Sequence, residues 1–155
     1  MNKALLAELQ AVATREQTIR FFIQYSRGGT CTLRLFHYNG HILARAGGGG
    51  YDKEGSCLGN AIMLLFPAEL LALAKKRATH GYDIIDGTRC NELDRNARRS
   101  SKYLYGLGLY NGKASIDGAC GVESVRRIAE ALGFEWQSVQ TGKDSTIYTL
   151  IRKEG

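Results

Sequence analysis

Four consecutive glycines, Gly47 to Gly50, lead through Tyr51 and Asp52 to Lys53, and this is the first segment of the chain whose residues could do chemistry. A glycine-rich turn feeding a helix N-terminus leaves backbone N–H groups unpaired and sets the positive end of the helix dipole beside them. Together these can hold a phosphate or a carboxylate. Gly48, Gly49, Gly50, Tyr51, Asp52 and Lys53 are therefore candidate ligand-binding residues, with Lys53 adding a charge. Neither nucleotide signature is complete. Lys53 is not preceded by Gly and followed by Ser or Thr, as a phosphate-binding loop requires, and Asp52 stands where a G-x-G-x-x-G pattern needs its last glycine. In the plainer reading the glycines permit a sharp turn and Asp52 caps the helix.

A second small-residue turn before a helix runs from Asp117 to Ser124, and it adds Gly118, Cys120, Gly121, Glu123 and Ser124 to the candidate ligand set. A helix N-terminus is one of the settings that can lower a thiol's pKa, which makes Cys120 the candidate nucleophile. No partner base is evident, because His37, His41 and His80 are all remote in sequence. The alternative is a buried thiol. A third stretch gathers Arg89, Arg95, Arg98, Arg99 and Lys102 ahead of Tyr103 and Tyr105. Basic residues beside aromatics suit nucleic acid, with charges on phosphates and rings on exposed bases, although a solvated face has the same composition and the spacing matches no recognised code. Asp83 and Asp86 are close in sequence, but nothing makes them converge as a general acid and base.

Charge and cysteine usage narrow the classes. The net charge of +6 leans toward an anionic partner, a nucleotide or a nucleic acid. Cys31, Cys57, Cys90 and Cys120 form no C-x-x-C pair and no zinc spacing, so reduced thiols are expected and no metal or cofactor is implied. The N-terminus carries Glu8 where a signal peptide would continue its apolar stretch, and no apolar run reaches membrane-spanning length. A protein of the cytoplasm of a bacterial host is expected, with no membrane association.

The elements that must position these residues are legible in part. Leu5, Leu6, Leu9 and Val12 at helical spacing predict a first helix over 2–13. Strands follow over 19–26, over 30–37 (Cys31, Leu33 and Leu35 alternating with Thr32, Arg34 and Phe36) and over 41–46. Asn39-Gly40 supplies the positive φ angles of a tight hairpin, so an antiparallel meander is expected. A helix over 52–66 is stopped by Pro67, which opens another over 68–77. From Thr79 to Ser101 the pattern blurs into loop plus a short helix. Beyond it come strands over 102–110 and 113–117 around Asn111-Gly112, and a helix over 122–132 with Val125, Ile128, Ala129 and Leu132 on one face. Gly133 supplies a left-handed cap, and strands over 134–140 and 146–152 close the chain. Tyr38-Asn39-Gly40 and Tyr110-Asn111-Gly112 open the same order of turn, strand, glycine-containing loop and helix, a weak internal echo consistent with a pseudo-duplication.

Two resemblances accompany these residues. Gly49-Gly50-Tyr51-Asp52-Lys53, paired with the stretch from Asp117 through Ser124 to Gly133, resembles small, largely uncharacterised proteins of phages, prophages and plasmids. That likeness implies an accessory role in a mobile element, where such proteins often bind nucleic acid, host enzymes or signalling nucleotides to blunt host defence. Residues 2–66 resemble, in topology alone, a double-stranded-RNA-binding domain, a family that reads RNA by shape. Lys53, flanked by Asp52 and Glu54, stands where that family carries a lysine cluster, and Arg27-Gly28-Gly29 lacks the family's loop histidine.

The expectation is one α+β domain over 1–155, an antiparallel sheet with helices on one face. Helix-β-β-β-helix forms the first half and β-β-helix-β-β the second, with possible sub-lobes 1–78 and 102–155 joined by the basic region. The functional expectation is a mobile-element accessory protein binding an anionic ligand, nucleotide or nucleic acid, at the two helix N-termini. A protein-binding inhibitor of a host or CRISPR-type defence factor is one alternative, and a small cysteine- or carboxylate-dependent enzyme is the other.

Overall fold

The computed structural model describes residues 2–28, 31–46, 53–78, 107–110, 112–116 and 121–153. In chain order the elements are α1 (Lys3–Arg15), β1 (Thr18–Gly28), β2 (Cys31–Tyr38), β3 (His41–Ala46), α2 (Lys53–Leu65), α3 (Pro67–Ala78), β4 (Leu107–Tyr110), β5 (Lys113–Ile116), α4 (Val122–Ala131), β6 (Phe134–Gly142) and β7 (Ser145–Arg152). The fold is α+β. Five antiparallel strands form one sheet in the order β3-β2-β1-β7-β6, and β4-β5 stand apart as a hairpin of their own. The meander expected for the first three strands is present. Strands from both ends of the chain share this sheet, because β1 pairs with β7 from Thr18 against Ile151 to Gln24 against Ser145.

Local signals act where they were expected. Asn39 (φ 50) and Gly40 (φ 78) make the tight turn between β2 and β3, and Gly112 (φ 75) sits in the β4–β5 turn. Asn2 Oδ1 accepts from the Leu5 N–H at 2.7 Å and caps α1. Pro67 opens α3, which bends away from α2 by 103°. Gly133, at φ 98, ends α4. Among the described residues no single helix is long and apolar enough to cross a membrane. The stretch Thr79 to Ser101 and residues 102–106 lie outside the described residues.

Alternation along β1 turns Ile19, Phe21 and Ile23 inward, each at most 1% exposed. On β2 the set that faces the core is Arg34, Phe36 and Tyr38, while Leu35 falls on the other side. The pairing of Ile23 with Phe36 fixes this, and the Phe36 ring packs 4.5 Å from that of Phe21. Over this inner face α2 lies on β2 and β3 and α4 packs on α2 and β6. Leu58, Ile62, Leu65, Val125, Ile128 and Leu150 complete the core, each contributing about 1.5–3 kcal/mol on burial. Gly59 lets β5 approach α2 closely, since a Cβ there would sit 3.0 Å from Ile116 Cγ2. Arg152 ties α1 to the sheet: its Nη2 donates to Ala13 O at 2.7 Å and its Nε to Glu16 O at 3.0 Å, at the negative end of the helix. No described helix packs against the opposite face of the sheet.

Candidate functional site

At the end of the inner face where α2 begins, Tyr25 of β1 and Arg34 of β2 are paired neighbours. Glu54, in the first turn of α2, accepts from Tyr25 Oη at 3.3 Å through one carboxylate oxygen and from Tyr148 Oη through the other. The Arg34 guanidinium lies 4.8 Å over the Tyr25 ring, a cation–π contact, and Arg34 Nε is shielded from water with no hydrogen-bond partner among the described residues. Three residues along α2, the Cys57 thiol donates to Ala44 O at 3.5 Å and Arg34 O at 3.6 Å. Burial pushes the Cys57 pKa up to about 12; the Glu54 charge adds to the rise and Arg34 opposes it. A thiol held protonated in this way is a structural donor and not a nucleophile. This network pins the start of α2 to four strands, β1, β2, β3 and β7, with a carboxylate at the positive end of the helix. No sequence spacing announces it, because Glu54 and Tyr148 are 94 positions apart.

The residues singled out from sequence divide into those the structure places and those outside it. Lys53 is the first residue of α2. Gly121 is the N-cap residue of α4, extended at φ −81 and ψ 169, with no side-chain cap. Glu123 occupies the exposed first turn of α4, where its carboxylate accepts from Arg126 at 2.6 and 3.0 Å and lies 3.9 Å from Arg127. The hydrogen bond from Arg126 lowers its pKa. Ser124 is half-buried on the same helix. The first turns of α2 and α4 thus each carry a carboxylate of the protein's own. Gly48, Gly49, Gly50, Tyr51, Asp52, Gly118 and Cys120 lie outside the described residues, as do Arg89, Arg95, Arg98, Arg99, Lys102 and Tyr103. Among the described residues no group of three or more His, Cys, Asp or Glu is placed to hold a metal ion.

A different surface emerges from the register. Ile42 of β3 pairs with His37 of β2, His37 with Phe22 of β1, Phe22 with Ile147 of β7, and Ile147 with Val139 of β6. These five residues form one continuous row across every strand on the open face, about 19 Å long at the usual strand spacing. Its two ends, Ile42 and Val139, are the exposed large hydrophobics of the described residues, at 50% and 60%. At the centre the Phe22 and His37 rings lie 5.9 Å apart at 54°. One flanking row presents Arg45, Leu35, Gln24 and Ser145, and the other Arg20, Thr149 and Gln137. Neither flank carries a carboxylate. Beside the row a hollow of about 150 Å³ is lined by Arg20, Phe22, His37, Asn39, Gly40 and Ile147. His37 Nε2 is shielded from water and finds no hydrogen-bond partner among the described residues, which costs about 1–3 kcal/mol.

The row was hidden in the sequence because it exists only once four pairings are set. The one local trace is the doubled Phe21-Phe22, which sends one ring to each face of the central strand. Comparison with protein-family models, with curated proteins and with solved structures found no match.

Proposed function

We propose that this chain is a non-catalytic binding protein that holds a single-stranded nucleic acid across the open face of its five-stranded sheet. The observation that carries this is the cross-strand row with Phe22 and His37 at its centre and Arg20 and Arg45 on its two sides. Bases stack on aromatic faces regardless of sequence, while arginines engage the phosphates. The net charge of +6 supports the same class of partner. The anionic ligand expected from sequence is thereby assigned to a different surface from the two helix N-termini. Cys120, on which the cysteine-enzyme alternative rests, lies outside the described residues, and Cys57, protonated and engaged with two carbonyls, is a structural thiol. The likeness to proteins of phages, prophages and plasmids fits such a role in a mobile element.

Fluorescence anisotropy with labelled single-stranded DNA and RNA, against a duplex control, tests the reading. Binding that weakens with salt and is lost in Arg20→Gln/Arg45→Gln supports it, and no binding to either strand at low salt overturns it. The aliphatic ends of the row, Ile42 and Val139, favour a second reading, a docking face for a protein such as a host defence factor. A stoichiometric complex with a purified protein that Ile42→Asp/Val139→Asp abolishes, in a chain that binds no nucleic acid, would establish that alternative instead.

A further inference from the structure

We infer that the outer edge of β6 pairs antiparallel with the same edge of a second copy of this chain, joining two five-stranded sheets about a twofold axis at Val139. The inference is independent of the strand-binding reading above. Among the described residues β6 is a sheet edge, and Gln137 to Gly142 are exposed in succession, on both of its faces. The ladder decides which backbone groups this edge offers. Lys153 N–H donates to Gly133 O at 2.8 Å, and Phe134 stands opposite Arg152, so Glu135, Gln137 and Val139 direct their N–H and C=O groups to β7. Those of Ser138 and Gln140, one on each side of Val139, point outward to no described strand. A twofold axis at Val139 brings Ser138 of each copy opposite Gln140 of the other, and each such pair exchanges both backbone hydrogen bonds. The register irregularity between Gln140 and Gly142 ends this ladder, so the new pairing is short and side chains must add to it.

The side chains of β6 match a second copy. Val139, 60% exposed, meets its own counterpart in a non-hydrogen-bonded pair, where facing side chains come closest. Gln137 to Gly142 contain no charge and no proline, the residues that keep edge strands apart. Glu135 stands four positions before Val139 and Lys143 four after it, so the axis sets each carboxylate beside the other copy's ammonium. Neither is in an ion pair among the described residues. Asp144, next in the turn, lies toward β1, where its carbonyl accepts from Tyr25 N–H at 2.9 Å. The opposite edge, β3, is shorter and carries Arg45. Antiparallel pairing about an axis normal to the sheet keeps both open faces on one side, so the row that ends at Val139 runs on into the second copy.

Sedimentation velocity of the full chain over a concentration series up to about 200 μM tests this, and the parent should show a monomer–dimer equilibrium. Ser138→Pro removes an N–H that points to the outer edge and leaves the β6–β7 bonds in place. Its monomer should keep the parent's circular dichroism while the dimer is lost. Charge reversal supplies a readout that does not depend on that variant. Glu135→Lys and Lys143→Glu should each weaken the dimer about ten-fold at low salt, and the two together should restore it to within about three-fold of the parent. A parent that stays monomeric up to about 200 μM overturns the inference. So does a dimer that survives in folded Ser138→Pro, or one that the double reversal weakens as much as either single change. Single strands bound by a chain that is monomeric throughout would leave the strand-binding reading standing and remove this one.

Discussion

Replacing Glu54 by Gln removes a charge from the centre of the network at the start of α2 while keeping its shape. In the parent, both carboxylate oxygens accept from tyrosine hydroxyls, Tyr25 on one and Tyr148 on the other. Hydrogen bonds to a charged acceptor contribute about 1.5–3 kcal/mol each and neutral ones about 0.5–1.5, so the exchange loses roughly 1 kcal/mol per bond. A carboxylate in the first helical turn adds about 0.3–1 kcal/mol from the dipole. Half-burial of Glu54 trims the total, leaving about 2 kcal/mol, or roughly 4–8 °C in Tm for a domain of this size. Thermal and urea denaturation measure it, and a double-mutant cycle with Tyr148→Phe should return a coupling of about 1 kcal/mol. A loss below about 0.5 kcal/mol, or additive single losses, would refute the claim that this network anchors the helix. The same substitution removes a charge that raises the Cys57 pKa, so that pKa should fall below its parent value of about 12.

Further outcomes follow from the same geometry. The folded Cys57 pKa lies above the unfolded value of about 8.5, so its contribution is complete below that pH and is lost as pH rises toward about 12, at up to about 1.4 kcal/mol per pH unit. Urea titrations from pH 7 to 10.5 should show this alkaline slope in the parent and a shallower one in Cys57→Ala. Gly133→Ala should destabilise by about 1–2 kcal/mol through backbone strain alone, because its φ is 98 and a Cβ there meets nothing within 4 Å; the stabilising sign usual for Gly→Ala at an ordinary φ would count against that account. Gly59→Val should destabilise by about 1–3 kcal/mol, since its Cβ would press on Ile116 at 3.0 Å, and an unchanged urea midpoint would show that β5 does not rest on α2.

What could be read from sequence was what short-range chemistry decides. Asn39-Gly40 specified a hairpin, Gly133 a helix end and Pro67 a helix start, because each satisfies a dihedral requirement within a few residues. The buried stripe Val125, Ile128 and Ala129 followed from the 3.6-residue period. Pairings between distant segments were not legible. Nothing local tells β1 to accept β7 as a neighbour, and that pairing builds both the Glu54 network, by delivering Tyr148, and the open row, by delivering Ile147. The irregularity between Phe36 and His37 on β2 was equally silent, yet it sets Ile42 opposite His37 and so completes the row at β3. The helix N-termini drew notice because glycine runs are conspicuous in one dimension. A row perpendicular to the strands is conspicuous only in three.

The central claim is tested most directly by the affinity of the parent chain and of Phe22→Ala for a labelled single strand of about 16 nucleotides. Loss of one stacking ring, worth about 1–3 kcal/mol, should weaken binding roughly 5- to 150-fold with the fold intact. Equal affinity of the two proteins, or no binding by the parent at low salt, would contradict the assignment of nucleic acid to the open face of this sheet.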